Sequence, residues 1–197
     1  MTITAKEIAA LRAKTGIGMM ECKKALEEAG GNEENAIEIM RKRGATKAAK
    51  RAERETKAGL IESYIHSNGK IGVMVEVLAE TDFVAKNDEF KQFAHDVALH
   101  VAAMAPKYIS KEDVPASEVE KEKTFLLEEV KASGKSAEIA EKIVEGRLNK
   151  FYEENCLLYQ PFVKDQDKKI EDLLNDLTTK IGEKIIISRF CRFQIGA

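Results

Sequence analysis

Apolar positions in the first 44 residues recur at helical spacing and fall into three short runs separated by glycine. Thr4 and Glu7 stand at capping-box spacing, with Ile3 and Ile8 placed as a hydrophobic staple. The first run carries Ile8 and Leu11 inward and stops before Gly16, and Thr15-Gly16-Ile17-Gly18 reads as a tight loop. The second run sets Met19, Cys22, Leu26 and Ala29 on one stripe and ends at Gly30-Gly31. Asn32 is placed to cap the third, whose stripe is Ala36, Ile37 and Met40 and whose end is expected at Gly44. Three short helices make a miniature bundle, a shape suited to binding because it encloses no cleft.

Beyond the bundle the period changes. Asn68-Gly69 is a type I′ hairpin signal, preceded by a strand from about Leu60 to His66. Val73, Val75 and Val77 then alternate with Met74, Glu76 and Leu78, the period-2 pattern of a half-buried strand. Glu80–Asn87 reads as a loop. Asp88 is placed to cap an amphipathic helix bearing Phe90, Phe93, Val97, Val101 and Met104, with Ala94, Ala98 and Ala102 beside them. Further helices are expected after Pro115 and Ser117, after Ser136 (Ile139, Ile143, Leu148 and Phe151 inward) and after Asp167 (Ile170, Leu173, Leu174, Leu177 and Ile181). Leu157–Val163 reads as extended, and Ile185–Ile195 as a final strand. The fold class is α+β: a three-helix bundle, then a helix-rich core with a small antiparallel sheet. The domains are 1–44, a basic helical linker at 45–56, and a core and dimerisation domain at 57–197.

Charge changes this picture in one place. Arg41–Lys57 holds eight Lys/Arg against Glu53 and Glu55, whereas the whole chain balances 32 Lys and Arg against 34 Asp and Glu, a net charge of −2. The segment reads as a solvated connecting helix, with a patch for RNA or an acidic partner as the alternative. The overall balance argues against nucleic-acid binding by the whole surface, and the 44% apolar content argues against a disordered chain. No apolar run reaches the ~18 residues of a membrane span, and the N-terminus lacks signal-peptide character. Three widely spaced cysteines, Cys22, Cys156 and Cys191, exclude C-x-x-C chemistry and suit a reducing, cytoplasmic setting.

Signatures of enzyme chemistry are missing. The sequence has no phosphate-binding glycine loop and no G-x-S-x-G elbow, so neither a bound nucleotide nor a serine nucleophile is expected. His95 and His100 are five apart, off the spacing of a zinc pair, and with His66 they read as surface residues. No metal ligand and no cofactor are expected. Two places stand out instead. Thr81-Asp82-Phe83-Val84 lies between an apolar strand and an apolar helix. Its Phe and Val either fold back into the core or stand out as an interface anchor, and the pattern leaves both open. Met19 and Met20 are adjacent, so both cannot face one small core, and one is expected at the surface.

The stretches Leu11-Arg12-Ala13-Lys14-Thr15-Gly16-Ile17-Gly18-Met19-Met20-Glu21-Cys22-Lys23-Lys24-Ala25-Leu26, Ala36-Ile37, Arg41-Lys42-Arg43-Gly44, Thr81-Asp82-Phe83-Val84-Ala85-Lys86-Asn87 with Phe90, Gln160-Pro161-Phe162-Val163 and Arg189-Phe190-Cys191-Arg192-Phe193 occur in this order. Together they resemble the bacterial elongation factor Ts family nearly end to end, in its short form. The resemblance implies a guanine-nucleotide exchange factor for elongation factor Tu, without chemistry of its own, that binds the GDP-bound and nucleotide-free partner. It implies a first domain like a ubiquitin-associated fold, with Arg12, Met19 and Met20 on the partner. It also implies that Thr81, Asp82, Phe83 and Val84 enter the partner and disturb its Mg²⁺ site, so that GDP leaves and GTP reloads. The short form implies a homodimer, for which the last strand, with Cys191 and Phe193 on one side, is the candidate edge. An RNA-binding protein using Arg41–Lys57, and an adaptor for a ubiquitin-like partner, are the competing readings; the net charge of −2 and the lack of stacking aromatics in that stretch weigh against the first, and the Thr81–Val84 stretch with the end-to-end resemblance separates the second.

Overall fold

The computed structural model describes residues 3–51, 53–132 and 137–196. The chain divides into two units: Met1–Glu62, Val75–Asp96 and Asp172–Ser188 form one, and Ser63–Met74, Val97–Glu171 and Arg189–Ala197 the other. The expected α+β class is observed.

The first unit begins with α1 (Ala5–Thr15), α2 (Met19–Glu28) and α3 (Glu33–Arg51). Thr4 caps α1 through a reciprocal capping box, and its N–H and hydroxyl hold the Glu7 carboxyl below its ordinary pKa. Gly16 ends α1 in the left-handed region at φ 67°, its N–H donating to the Arg12 carbonyl at 2.8 Å. At the end of α2, Gly31 N–H reaches the Leu26 carbonyl at 2.9 Å and Gly30 N–H the Glu27 carbonyl at 3.3 Å, a Schellman ending. Asn32 caps α3 as expected, accepting from Asn35 N–H at 2.9 Å. Ile8, Leu11, Cys22, Ala25, Leu26, Ala36 and Met40 fill the bundle core.

Helix α3 does not stop at Gly44; it runs on to Arg51. Gly44 is instead a point of close approach. A Cβ added there would fall well inside contact distance of Thr179 Oγ1, with Thr179 Cβ and Cγ2 at 3.5 Å. Thr179 lies on α8 (Ile170–Ile181), and Lys180, next on the same helix, crosses Gly16 with its Nζ 2.8 Å from where a Cβ would stand. The bundle is therefore seated on α8, and two of its glycines make the seat.

The three-stranded sheet has the order β1-β2-β5, from β1 (Ala58–Ile65), β2 (Ile71–Ala79) and β5 (Ile185–Gln194). The central strand buries Val73, Val75, Val77 and Ala79, the face that its alternation predicts. Its hairpin is present but is not a two-residue type I′ turn. Of the two turn residues only Gly69 has positive φ, and His66 N–H pairs with the Ile71 carbonyl at 2.9 Å around four residues, Ser67–Lys70. Asn68 acts through its side chain, accepting from Lys70 N–H at 2.9 Å. Ile195 N–H donates to the Lys70 carbonyl at 2.9 Å, which sets the far end of β5 beside the start of β2 and makes the pair antiparallel.

Helix α5 (Asp88–Met104) buries Phe90, Phe93, Ala94, Val97, Ala98, Val101 and Ala102. In the second unit, α6 (Ala116–Ala132) and α7 (Ala137–Asn155) pair through Leu126, Val130, Ala140 and Val144. Ile139, expected inward, is exposed, because Ala140 and Val144 set the buried stripe one residue further on. The expected Ser136 cap lies outside the described residues. The extended stretch expected at Leu157–Val163 is a 3₁₀ turn, Leu157–Tyr159, followed by β3 (Pro161–Phe162), which pairs antiparallel with β4 (Asp165–Lys169). Asp167 therefore stands in a strand rather than at the helix cap.

His100 is buried, against the surface reading. Its Nδ1 accepts from Val163 N–H at 3.3 Å and its Nε2 lies 3.0 Å from Gln160 Oε1. Gln160 in turn donates to the Glu154 carbonyl at 2.8 Å. The Nδ1 bond fixes the neutral tautomer with its proton on Nε2, and burial lowers the imidazole pKa.

Candidate functional site

The strand–helix corner after β2 is built by hydrogen bonds that reach across the sequence. Thr81 N–H donates to Glu183 Oε2 at 3.0 Å and Thr81 Oγ1 donates to Glu183 Oε1 at 2.7 Å, between residues 102 apart. One residue earlier, Glu80 Oε1 accepts from Lys184 N–H at 2.6 Å and from Arg54 Nη1 at 3.2 Å. Lys184 Nζ closes the group on the Arg54 carbonyl at 2.9 Å. Gly182, left-handed at φ 89° after α8, turns the chain so that Glu183 and Lys184 meet the end of β2.

The expected loop is not irregular. Asp82–Ala85 forms a single helical turn, α4, with Ala85 N–H on the Thr81 carbonyl and Lys86 N–H on the Asp82 carbonyl. Asn87, not Asp88, caps the following helix, accepting from Glu89 N–H at 2.8 Å. The corner is thus fixed on both sides of its turn. Val84 packs inward at 8% exposure, and Phe83 stands out at 91%. This decides between the two alternatives for the pair: Val84 is the buried anchor and Phe83 the exposed group. Asp82 is exposed in the first turn.

Arg12 lies exposed on α1, and Met19 and Met20, at 45% and 66% exposure, open α2. Both methionines are at the surface, where one was expected, because Cys22, Ala25 and Leu26 already fill the α2 contribution to the small core. These three residues and Thr81–Val84 belong to the same unit. Cys191 and Phe193 belong to the other unit, both exposed on the edge strand β5. Between them Arg192 points the opposite way, donating from Nε and Nη2 to the Ala102 carbonyl at 3.2 and 3.1 Å.

The basic run is largely spoken for where its side chains are described. Lys42 pairs with Glu38 at 2.7 Å, Arg54 with Glu80, Lys57 with Glu55 at 2.5 Å, and Arg43 with Glu28. Cys156 is buried, with its thiol pKa pushed up to about 11 chiefly by that burial, and so lacks the character of a nucleophile. Among the described residues no helix is long and apolar enough to cross a membrane, and no three His, Cys, Asp or Glu side chains are grouped to hold a metal.

The sequence model of the family described as Elongation factor TS matches residues 3–197. The chain belongs to the elongation factor Ts family. It is 55% identical over 194 residues to elongation factor Ts of Thermosipho melanesiensis, covering 98% of this chain and 99% of that one. It is 54% identical to that of Fervidobacterium nodosum over the full length of both, and 56% identical to that of Alkaliphilus oremlandii, covering 90% of the relative. Family membership makes the chain a translation elongation factor. Within the family frame, the brace of Arg54, Glu80, Glu183 and Lys184 is what sequence reading missed. Its only local sign was the helix-ending Gly182 followed by a carboxylate.

Proposed function

We propose that this chain is the guanine-nucleotide exchange factor of elongation factor Tu, and that it works by presenting Phe83. The observation that carries the reading is Phe83 itself: an aromatic side chain 91% exposed on a turn fixed at both ends. An exposed aromatic on a rigid frame is a pre-organised interface anchor, because little entropy remains to be lost on docking. Membership of the elongation factor Ts family supports the partner and the step.

Exchange of this kind makes and breaks no covalent bond in the factor. A GTPase holds Mg²⁺ through a few ligands and the nucleotide phosphates in near-octahedral geometry, so a displacement of ~1 Å loosens ion and phosphates together. Phe83 enters as the wedge with Asp82 beside it at the surface, while Thr81 and the buried Val84 hold the corner rigid. GDP then leaves and GTP reloads. By linkage, the factor weakens nucleotide binding by the factor by which nucleotide weakens the complex. A 10⁴-fold effect requires about 5.5 kcal/mol of differential binding. One buried Phe supplies roughly 1.5–3 kcal/mol. Arg12, Met19 and Met20 supply a second contact from the same unit, which the seating of the bundle on α8 holds at a set distance from Phe83.

The exposed edge of β5, with Cys191 and with Phe193 at 70% exposure, supports a homodimer formed through this strand. The overall charge balance of 32 Lys and Arg against 34 Asp and Glu supports a protein partner and no direct nucleic acid, and the two buried thiols suit the cytoplasm. The test is release of fluorescent GDP from elongation factor Tu by stopped flow. Acceleration by the wild-type chain is expected; none would return the RNA and adaptor readings.

A further inference from the structure

The Thr81 side chain lies within the stretch proposed to enter the partner, yet its polar groups are already used inside the chain. Both of its donors, N–H and hydroxyl, go to one carboxylate, at 3.0 and 2.7 Å. Thr81 stands at the N-cap position of α4, where a threonine hydroxyl ordinarily accepts from the helix N-terminus, and it makes no such side-chain bond. Glu80 and Lys184 repeat the arrangement one residue back, with a carboxylate again accepting a backbone N–H. The two pairs prolong the antiparallel run of β2 and β5 past its last residues, Ala79 and Ile185, with carboxylates in place of carbonyls. Phe83 follows two residues later, less than one turn of helix from the clamp.

We infer that Glu183 is a positioning residue for nucleotide exchange: its carboxylate clamps Thr81 and thereby fixes the direction in which Phe83 is presented, and Thr81 acts through this clamp rather than on the partner. The inference rests on the exchange-factor reading. A charged acceptor bridging two donors is short and directional, so it holds orientation as well as position. Without it the corner keeps its Val84 anchor and the Asn87 cap but loses the fixation on the strand side. The first contact through Arg12, Met19 and Met20 is untouched. The maximal rate of release should therefore fall while the half-saturating concentration stays close to wild type.

The experiment compares Glu183→Ala, Thr81→Val, Thr81→Ser and the Glu183→Ala/Thr81→Val double variant in stopped-flow GDP release from elongation factor Tu. Amide hydrogen exchange of residues 80–86 is followed in each free protein. Glu183→Ala and Thr81→Val are each expected to lower the maximal rate by about 10- to 100-fold, the range for a group displaced by ~1 Å. The double variant is expected to be no slower than Glu183→Ala alone, because Thr81→Val removes one of the two bonds that Glu183→Ala removes together. Thr81→Ser retains both donors, so its loss should be smaller than that of Thr81→Val. Amide exchange at 80–86 should quicken in the alanine and valine variants, with thermal midpoints lowered by no more than a few degrees. Multiplicative losses in the double variant, or a rate drop in Thr81→Ser with none in Thr81→Val, would show Thr81 touching the partner and overturn the inference. Unchanged amide exchange in Glu183→Ala would overturn it independently of any partner. Wild-type acceleration with an unaffected Glu183→Ala would sink the inference alone, whereas a wild-type chain that accelerates nothing would sink the exchange-factor reading first.

Discussion

Substituting Gly44 by Ala tests whether the bundle is seated on α8 or merely tethered. Gly44 lies inside α3, so intrinsic helix propensity favours Ala by about 1 kcal/mol. Packing opposes it. The new Cβ would lie so close to Thr179 Oγ1 that α3 and α8 must part by about 1 Å to restore ordinary contact. Thr179 has a short, β-branched side chain with little freedom to swing away. Overpacking of this size costs typically ~1–3 kcal/mol. The balance is a net loss of up to about 2 kcal/mol, which at ~2–4 °C per kcal/mol for a chain of this length lowers the midpoint by several degrees. Removing the obstacle should reverse the sign. In a Thr179→Ala background the same Gly44→Ala change should become neutral or stabilising. The assay is thermal unfolding followed by circular dichroism for the four proteins of this cycle, with GDP release measured in parallel. Because Arg12, Met19 and Met20 ride on the bundle, Gly44→Ala should also raise the half-saturating concentration for elongation factor Tu. If Gly44→Ala instead raises the midpoint in the wild-type background, helix propensity alone is acting. α3 and α8 are then not in contact, and the seat does not exist.

Two further outcomes follow from other parts of the molecule. His100 is buried neutral, so its folded pKa lies below the ordinary ~6.5 that it regains on unfolding. The stabilisation is complete above pH 6.5 and is lost as pH falls toward the folded value, at up to about 1.4 kcal/mol per pH unit. Urea unfolding between pH 7 and pH 5 should show this slope in the wild type and a flatter one in His100→Gln; equal slopes would remove His100 as the cause. At the other end of the chain, sedimentation should give twice the monomer mass for the wild type, and Phe193→Lys should shift the protein toward monomer. Non-reducing gels will show whether Cys191 adds a covalent link. A wild-type monomer at all accessible concentrations would end the proposal that β5 is a dimer edge.

Features governed by neighbours in sequence were legible. The capping box at Thr4, the Gly30-Gly31 ending, the Asn32 cap and the alternation of Val73, Val75 and Val77 each depend on residues within about one turn or one strand. Their chemistry is written locally. The misreadings share the opposite property. Gly44 looks like a helix stop until Thr179, far along the chain, supplies the reason for a residue without a side chain. His100 looked like a surface residue because one histidine in a helix says nothing of Gln160 and Val163, which complete its hydrogen bonds. Asn68-Gly69 marked the hairpin but not its loop, since pairing of His66 with Ile71 set the length. At the site, Phe83 and the two methionines were named from the sequence, but whether each faced core or solvent depended on how full the core already was. The Glu183 clamp joins residues 102 apart, and the helix-ending Gly182 before it carries no sign of Thr81 as its partner.

The central claim is that Phe83, held out by its corner, drives nucleotide release. Stopped-flow release of fluorescent GDP from elongation factor Tu, driven by wild type and by Phe83→Ala, tests it most directly. Phe83 has almost no contact with its own chain, so its removal should leave the thermal midpoint unchanged. The account predicts rapid release with the wild type and release slowed by about 10- to 100-fold with Phe83→Ala, the equivalent of losing roughly 1.5–3 kcal/mol of buried aromatic contact. Equal rates for the two proteins would contradict the wedge and move the origin of exchange to Arg12, Met19 and Met20.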